Sequence, residues 1–342
     1  MGNGSITKPK VCFLINSFFP AVGGGESHAL ALSQSLRKID VDAWVLTRRF
    51  DYSLLPYEEV QGVPVRRIGL PSSSRWGKYM MIPFIRRALF VLREKYDIIY
   101  VCGLRVLGVP ALAAAKKLAK ICVLRAEANG EMSGTFAWKS PAGEIKGIKR
   151  RLISKIIAKR NDFYRKTDSF IAISDAIKKE FEETGVERNK IKVINNGVDT
   201  EKFKPVSSDA EKKDVRRRLN LPDGLLFAYS GKLNKGKGLE MLVRAWRDIS
   251  REKEQIYLVL IGSGAGHFLS CEEELRRYVL SEKLEKKVIF TGYVNNVQDY
   301  LRAVDFFVFP SEEEAFPMAP LEAMACGLPV IATNVGELNK II

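Results

Sequence analysis

Histidine is scarce in this sequence, and long apolar runs are missing. The 342 residues include two histidines, His28 and His267, which leaves almost no material for a histidine-based metal site or a Ser-His-Asp triad. The best apolar stretch, residues 79–92, is interrupted by Arg86 and Arg87. It falls short of the roughly 20 residues that a membrane-spanning helix needs. We therefore expect no membrane span.

Cysteine is present but never in pairs. No cysteine lies two to four residues from another, so the spacing matches neither a zinc knuckle nor a redox pair. Most of them sit in or beside apolar segments, as small core residues do. We expect reduced thiols in a cytoplasmic protein. The five are Cys12, Cys102, Cys122, Cys271 and Cys326.

Acidic residues are in deficit, and only in the first part of the chain. The net charge is +15. Residues 1–200 hold 34 Lys and Arg against 19 Asp and Glu, whereas residues 201–342 hold 21 of each. The excess peaks in residues 139–166, with ten basic and two acidic residues. A basic surface of this kind attracts an anionic partner.

The basic peak has the periodicity of an amphipathic helix. Apolar residues recur there at spacings of three and four, with basic residues on the other faces. Such a helix either lies on an anionic bilayer surface or packs on the core with a solvated basic face. Nucleic acid ranks last as a partner, because no recognition-module signature is present. The apolar positions are Ile145, Ile148, Leu152, Ile156 and Ile157.

Strand and helix patterns alternate along both halves of the chain. This alternation predicts parallel sheets covered by helices on both faces. The pattern restarts after residues 206–221, a polar segment that we interpret as a linker. The predicted fold class is α/β, with two Rossmann-like, doubly wound domains that face a cleft. We place the domains at residues 1–200 and 201–342.

Three segments follow strands and suggest chemistry. PAVGGGE is a glycine loop that opens a helix, where backbone N–H groups can approach a phosphate. GKLNKGKG places Lys232, Lys235 and Lys237 between a strand and a helix, an arrangement that invites a polyphosphate. A plain strand-to-helix turn or a solvated turn explains each loop without a ligand.

The third segment is EEEAFPMAPLEAMACGLPVIAT. Pro320 suits the first turn of a helix, so we expect the helix to begin there. Glu322 would then lie in that first turn and Glu314 in the loop before it. Two carboxylates at this place can accept hydrogen bonds from the vicinal hydroxyls of a sugar or ribose. Together with the lysine loop they suggest a nucleotide-sugar site.

At these residues the chain resembles the retaining GT-B glycosyltransferases of family 4, over nearly its whole length. Glu314 and Glu322 match the E-x7-E motif of that family. GKLNKGKG is similar to G-R-L-x-x-x-K-G, and VINNGVDTEKFKP to V-I-x-N-G-V-D-x-x-x-F-x-P. GGGESH is similar to G-G-x-E-x-H, and IAISDAIKKEF to the V-S-x-x-x-K segment. The five motifs occur in the family's order.

The resemblance implies roles for individual residues. Lys232 and Lys237 would clamp the donor diphosphate, and Glu314 would hold the donor sugar as the third residue of the catalytic set. Glu322 would bind the ribose and Val294 would lie against the base. Backbone amides near three residues of the third segment would contact the sugar, and two glycines of the first loop would line the cleft. These five are Phe316, Met318, Ala319, Gly24 and Gly25.

The chain also departs from the family pattern. Position 232 is Lys where Arg is common, and Pro317 replaces a frequent Gly. The first domain lacks the His that many members carry after the fifth strand. The residues VLRAEANGE stand there, so Glu127, Asn129 or Glu131 is the candidate on the acceptor side. Members also continue past Ile342 to a helix that crosses back onto the first domain. We therefore expect a truncated second domain of reduced activity.

The resulting expectation is a transferase that needs no prosthetic group or metal. It would move a sugar from a UDP- or GDP-sugar donor to a hydroxyl of a glycan or lipid-linked acceptor, as in cell-surface polysaccharide synthesis. Its basic first domain would dock on the anionic inner face of the cell membrane, with no role for nucleic acid. A nucleotide-sugar epimerase of the same fold, or a catalytically impaired glycan- or membrane-binding protein, is the alternative.

Overall fold

The computed structural model describes residues 8–21, 23–69, 80–140, 143–266 and 269–342. Residue 79 of the apolar stretch, residues 141–142 of the basic segment and His267 lie outside these ranges. The chain divides into two compact units, one ending at Asn195 and the other beginning at Asn196. The sequence placed the domain boundary after residue 200.

The first unit is built on an eight-stranded sheet. Its order is β10-β9-β6-β5-β1-β2-β4-β3, and every neighbouring pair is parallel except β3 with β4. A separate antiparallel pair, β7 and β8, has two residues in each strand. The strands are β1 (Lys10–Ile15), β2 (Asp42–Arg48), β3 (Tyr57–Val60), β4 (Val63–Ile68), β5 (Ile98–Cys102), β6 (Ile121–Arg125), β7 (Lys139–Ser140), β8 (Gly143–Glu144), β9 (Ser169–Ala172) and β10 (Ile191–Val193).

Helices connect these strands. They are α1 (Gly24–Lys38), α2 (Ile82–Val91), α3 (Leu104–Leu118), α4 (Thr135–Trp138), α5 (Gly147–Tyr164) and α6 (Asp175–Glu183). Helix α2 packs on α3, which also packs on α5. The central strands β1 and β2 are apolar along almost their whole length and buried, as parallel strands covered on both faces must be. The chain leaves β1 for β2 on one side and places β5 on the other, so the sheet has its switch point between β1 and β5.

The second unit repeats this plan with five parallel strands in the order β13-β12-β11-β14-β15. The strands are β11 (Leu225–Ser230), β12 (Ile256–Ile261), β13 (Val288–Gly292), β14 (Phe306–Phe309) and β15 (Val330–Ala332). The helices are α7 (Asp209–Arg218), α8 (Leu239–Glu252), α9 (Glu272–Ser281), α10 (Val297–Ala303), α11 (Met318–Ala325) and α12 (Leu338–Ile341). Its switch point lies between β11 and β14.

The segment interpreted as a linker is part of the second core. Residues 209–218 form α7, which packs on α10. Arg216 donates to the carbonyl of Ala303 at 2.6 Å and to Asp305 at 2.7 Å, and Asp305 also accepts from the backbone N–H of Leu226 at 2.8 Å. The polar sequence was misleading because its charges form these ion pairs, and its buried apolar residues are only Val215 and Leu221.

Candidate functional site

Two loops meet at the switch point of the second unit. One follows β11 (residues 231–238) and the other follows β14 (residues 310–317). The backbone N–H of Glu312 donates to the carbonyl of Gly236 at 3.0 Å. Gly238 has φ +65°, and a Cβ there would overlap the carbonyl oxygen of Pro310. The glycine therefore allows the start of α8 to lie directly against the end of β14.

This contact brings a cation and a carboxylate from distant parts of the sequence together. The Nζ of Lys237 lies 2.5 Å from Oε1 of Glu314, and the hydroxyl of Ser311 donates to the same oxygen at 2.9 Å. The Lys237 side chain is 30 % exposed and that of Glu314 is 17 % exposed. The pair is accessible enough to meet a ligand, yet sheltered enough for its charges to interact strongly.

The other two lysines of the loop differ from Lys237. Lys235 forms an exposed ion pair with Glu274, with 3.1 Å between Nζ and Oε1. Lys232 is exposed, and among the described residues no carboxylate pairs with it. Lys232 therefore offers a free ammonium group at the carboxyl edge of this sheet.

Helix α11 begins at Met318, two residues before the expected start at Pro320. Pro320 is accommodated in the first turn because the N–H groups there have no intrahelical acceptor. Glu322 is consequently the fifth residue of the helix. The sequence predicted it in the first turn, and that prediction is wrong. The backbone N–H groups of Met318 and Ala319 belong to that first turn, where unpaired amides can meet an anion or hydroxyl.

The carboxyl group of Glu322 and the carbonyl group of Phe316 differ in whether a described group already donates a hydrogen bond to them. Burial raises the pKa of Glu322 to about 7, against the opposing effect of Lys202. No described group donates a hydrogen bond to the Glu322 carboxyl group, so it is available to a hydroxyl. The carbonyl of Phe316, by contrast, already accepts from the side-chain amide of Asn196 at 3.2 Å.

A third loop, residues 262–266 after β12, was missed in the sequence. Glu272 accepts from the backbone N–H of Gly264 at 2.7 Å and from the hydroxyl of Ser263 at 2.8 Å. A Cβ at Gly264 would stand 2.6 Å from the carbonyl oxygen of Leu233, so this loop packs on the lysine loop. The signal was present as GSGAG directly after a strand pattern.

Val294 follows the next strand of the same sheet. It comes two residues after Gly292, which has φ +68° and accepts from the backbone N–H of Gly262 at 3.1 Å. Val294 is half-buried against the core of the second unit. It therefore belongs to the carboxyl edge that carries the two glycine loops.

In the first unit, two of the predicted residues touch. Helix α1 begins at Gly24, with Gly25 as its second residue. A Cβ at Gly25 would stand 2.5 Å from Oε2 of Glu127. Arg125, which is 2 % exposed, donates to the other oxygen of Glu127 at 2.9 Å. A carboxylate thus lies beside the glycine loop, where the sequence suggested a phosphate or the acceptor. Burial raises the pKa of Glu127.

Glu131 and Asn129 lie in the loop that follows. Glu131 is 3 % exposed and accepts from the backbone N–H of Leu104 at 2.9 Å. Burial raises its pKa to about 7, although Arg105 lies 3.4 Å away and opposes the shift. The Oδ1 atom of Asn129 is buried without a donor among the described residues. Glu131 therefore supports the start of α3, while Asn129 keeps an unused acceptor.

A carboxylate on α6 organises this loop. Glu180 accepts from the backbone N–H groups of Gly130, Met132 and Ser133 at 2.7, 2.8 and 2.7 Å. Arg160 on α5 donates to the carbonyls of residues 131 and 132 at 2.8 and 2.9 Å. These contacts could not be predicted from the sequence, since the partners are about 30 to 50 residues apart.

The exposed face of α5 carries an apolar stripe among basic residues. Ile148, Leu152 and Ile156 are 87, 61 and 62 % exposed, whereas Ile157 is 8 % exposed. The three exposed residues recur every four positions and form one stripe. The sequence had grouped Ile157 with them, but its side chain lies on the opposite, buried face. No helix in the described part of the chain is long and apolar enough to cross a membrane.

Metal ligands do not converge in the described residues. No three His, Cys, Asp or Glu side chains there could share an ion. Burial and nearby Arg125 lower the pKa of His28 to about 3, so its imidazole is neutral.

Sequence comparison identifies relatives along most of the chain. LpsB of Rhizobium meliloti, a lipopolysaccharide core biosynthesis mannosyltransferase, is 32 % identical over 151 residues, which are 44 % of this chain and 42 % of LpsB. An uncharacterized glycosyltransferase of Methanocaldococcus jannaschii is 28 % identical over 94 % of this chain and 79 % of its own length. The match spans less than half of LpsB.

Solved structures share the fold. Anabaena HepE, in complex with UDP and glucose, is 21 % identical and superimposes with a TM-score of 0.73, covering 98 % of this chain and 83 % of its own. Sucrose-phosphate synthase of Thermosynechococcus elongatus is 22 % identical with a TM-score of 0.77, over 97 % and 83 % of the two chains. Both similarities confirm the GT-B class predicted from the sequence.

Family profiles give the assignment. The profile described as Glycosyltransferase Family 4 matches residues 22–202, more than half of the chain. The profile described as Glycosyl transferases group 1 matches residues 224–342. The resemblance seen in the motifs is confirmed, and the chain belongs to glycosyltransferase family 4.

Proposed function

We propose that this protein is a retaining glycosyltransferase. It moves a sugar from a nucleoside-diphosphate sugar to a hydroxyl of a glycan or lipid-linked acceptor, as in cell-surface polysaccharide synthesis. The observation that carries the proposal is the Lys237–Glu314 pair at the switch point of the second unit. Ligands of open α/β sheets bind at such points, beyond the carboxyl ends of the strands.

The charges of this site suit a diphosphate leaving group. Negative charge grows on the phosphate as the bond to the sugar breaks, and fixed cations stabilise that charge. Lys232 has no described carboxylate partner, and Lys237 has one that a phosphate can replace. When Lys237 turns to the phosphate, Glu314 is free to accept a hydroxyl of the donor sugar.

The nucleoside has a separate set of residues. Glu322 receives the ribose hydroxyls, because its carboxyl group has no described hydrogen-bond partner. Val294 contributes an apolar surface for the base. The donor is a UDP- or GDP-sugar; UDP and glucose are bound by HepE, and LpsB is described as a mannosyltransferase.

Histidine is a poor candidate for the general base of this reaction. Burial and Arg125 lower the pKa of His28 to about 3, so its imidazole is a weak base. A departing phosphate oxygen can itself take the proton of the acceptor hydroxyl. That route, which retains the configuration of the sugar, requires the acceptor and the leaving group on one face of the donor. Glu127 and Asn129 are the acceptor-side residues in this proposal.

The acceptor is delivered from a membrane surface. The exposed stripe of α5 (Ile148, Leu152 and Ile156) is accompanied on exposed positions by Lys155 and Lys159. Apolar side chains that enter the boundary of a bilayer, together with cations that meet its headgroups, define an interfacial helix. The exposed stripe of α5 supports contact with a membrane, and we propose the cytoplasmic face of the cell membrane as its location.

A melting experiment tests the donor site first. UDP, GDP and ADP and their sugars are added to the protein, since a ligand at 100 times its Kd stabilises by about 2.7 kcal/mol. One nucleotide class should raise the melting temperature, and Glu322→Ala should abolish the rise. Glu313→Ala is the matched control, because Glu313 is exposed on the neighbouring loop.

Product analysis then tests the reaction. Transfer to an acceptor with retained configuration supports the proposal. Conversion of the donor to its epimer without an acceptor identifies an epimerase instead. A nucleotide-dependent rise in melting temperature without any turnover identifies a binding protein.

A further inference from the structure

Glu180 of α6 directs both oxygens of its carboxylate at a single loop. That loop comprises residues 126–134, follows β6, and is named here the acceptor loop. Oε2 of Glu180 accepts from the backbone N–H of Gly130 at 2.7 Å, and Oε1 accepts from those of Met132 and Ser133 at 2.8 and 2.7 Å. No lysine, arginine or histidine in the described part of the chain forms an ion pair with this carboxylate. Its negative charge is therefore balanced by backbone N–H groups of the loop.

The acceptor loop binds this anion as a backbone nest. Successive N–H groups that point to one centre form a concavity that suits an anion. Gly130 has φ +83° and supplies the left-handed conformation that such a turn uses. Hydrogen bonds to an ionised carboxylate are shorter and stronger than those between neutral groups, and 2.7–2.8 Å lies in that range. Loss of the Glu180 carboxylate would therefore leave three donors of the loop without their acceptor.

Helix α5 holds the same segment by its carbonyl groups. Arg160 donates to the carbonyls of Glu131 and Met132 at 2.8 and 2.9 Å. The side-chain amide of Asn161 donates to the carbonyl of Met132 at 2.8 Å. Residues 130–133 are thus fixed between two helices, with N–H groups bound to α6 and carbonyl groups bound to α5. Because both sides are bound, the loss of either side would release the segment from its position.

The fixed segment determines where the acceptor-side residues lie. The Glu131 carboxylate accepts from the backbone N–H of Leu104 at 2.9 Å and from that of Glu127. Glu127 in turn stands against Gly25, since a Cβ there would lie 2.5 Å from Oε2. Asn129 directly precedes the nest, and its buried Oδ1 atom has no described donor. A shift of the segment would therefore move the Glu127 carboxylate and the unused acceptor of Asn129 together.

We propose that Glu180 is a positioning residue of the transfer reaction, which sets Glu127 and Asn129 against the acceptor by holding the acceptor loop. This role rests on the proposed transferase function. The described hydrogen bonds of the Glu180 carboxylate go to backbone N–H groups, so its effect reaches the reaction through the geometry of the loop. Rates depend steeply on such geometry, because a misplacement of about 1 Å costs about a hundredfold. A structural anchor without this role would change the stability of the loop and leave the rate unaltered.

Hydrogen exchange of the acceptor loop tests the anchor without a substrate. Glu180→Ala should speed exchange of the amides of residues 130, 132 and 133 at least about tenfold, because local opening no longer breaks charge-assisted hydrogen bonds. Sodium formate supplies a carboxylate to the vacated nest and should slow the exchange again in this variant alone. Glu183→Ala is the control, since the Glu183 side chain is 65 % exposed on the same helix. Glu180→Gln keeps one acceptor oxygen, so it should give an intermediate rate and serves if Glu180→Ala does not fold.

Steady-state kinetics test the effect on the reaction. The donor is the nucleotide sugar that raises the melting temperature, methyl glycosides serve as acceptor probes, and nucleotide release gives the rate. Glu180→Ala should lower kcat at least about tenfold and leave KM for the donor within about twofold, because the donor residues belong to the second unit. Formate should raise kcat in Glu180→Ala and have no effect on the unaltered protein or on Glu183→Ala. Such a rescue separates the position of the loop from a general loss of folded protein.

Two results would overturn the proposal in a working transferase. Equal exchange in the Glu180→Ala and Glu183→Ala proteins would show that Glu180 does not hold the loop. Faster exchange with an unchanged kcat would show an anchor without influence on the reaction. A failure of the transferase function gives a different result, in which exchange rises in Glu180→Ala and falls with formate, while the unaltered protein releases no nucleotide from any donor. The anchor would then stand, and the positioning role would fall with the transferase function.

Discussion

Gly25 and Glu127 are in contact across the carboxyl edge of the first sheet. A Cβ at Gly25 would stand 2.5 Å from one carboxylate oxygen of Glu127 and 2.7 Å from its Cδ atom. Gly25 is the second residue of α1, the helix after β1, and Glu127 follows β6. The glycine therefore makes room for the carboxylate, which Arg125 holds from the other side.

Gly25→Ala should displace that carboxylate without altering the backbone. Its φ is not in the left-handed region, so alanine itself is tolerated, and the added methyl group must push Glu127 away from Arg125. A displacement of about 1 Å in a reacting site costs about a hundredfold in rate. We expect that loss in transfer, with the nucleotide-dependent melting shift unchanged.

The control for this substitution is Gly197→Ala, since no atom lies within 4 Å of a Cβ at Gly197. Glu127→Ala should reproduce the defect of Gly25→Ala, and the double variant should be no worse than either single one. Wild-type transfer by Gly25→Ala would show that the position of Glu127 does not matter to the reaction.

Glu131 should make the protein less stable as the pH rises. Its pKa is about 7 in the folded protein and near 4.5 when unfolded, so the folded state holds a proton that the unfolded state releases between these values. The free energy of unfolding therefore falls from pH 4.5 to 7, by on the order of 3 kcal/mol for this group. In the Glu131→Gln protein, the free energy of unfolding measured with urea should lack this decrease between pH 4.5 and 7.

Lys237→Met should remove most of the donor site. It takes away the cation that faces the diphosphate and leaves the Glu314 carboxylate without its ion pair. We expect the rate of transfer to fall about 10²- to 10³-fold, as for the loss of one stabilising group in a transition state. Single-turnover rates at saturating donor measure this. Lys235→Met, which breaks an exposed pair with Glu274, should change the rate less than twofold.

The proximity of Lys237 and Glu314 could be predicted from the sequence, although 77 residues separate them. Each follows a strand pattern of one doubly wound unit, and the carboxyl ends of such strands share an edge. The contact of Gly25 with Glu127 could not be predicted, because the motifs assign Gly25 to the lining of the cleft and Glu127 to the acceptor. The three hydrogen bonds from backbone N–H groups to Glu180 could not be predicted either, since carboxylates on helices usually face water.

In helix α5, too, the sequence pattern predicts the helix but not which of its faces is buried. Its apolar periodicity predicted an amphipathic helix, and the structure contains one at residues 147–164. The buried face, however, is set by Ile157, Asn161 and Tyr164, two of which are polar. Spacing alone assigns apolar residues to the core. Here the more apolar stripe faces outward, and tertiary contacts of polar groups hold the inner face.

That outward stripe leads to a membrane prediction. Leu152→Ser/Ile156→Ser should weaken binding to vesicles that contain phosphatidylglycerol, because it removes two exposed apolar side chains that would enter the bilayer boundary. Burial of a leucine or isoleucine side chain contributes about 1.5–3 kcal/mol, so we expect at least a tenfold loss in flotation assays. Ile249→Ser is the control, since Ile249 is 40 % exposed on α8 of the second unit.

Salt should weaken the same interaction. Charges at the surface are screened beyond about 10 Å in 0.1 M salt and about 3 Å in 1 M salt, so the contribution of Lys155 and Lys159 should be lost at the higher concentration. Lys155→Gln/Lys159→Gln should bind more weakly than the unaltered protein in 0.1 M salt and should lose less binding when the salt is raised to 1 M, because fewer cations of α5 remain to be screened. Flotation that is equal at both concentrations, or equal in the serine variant and its control, would rule out α5 as the membrane-binding element.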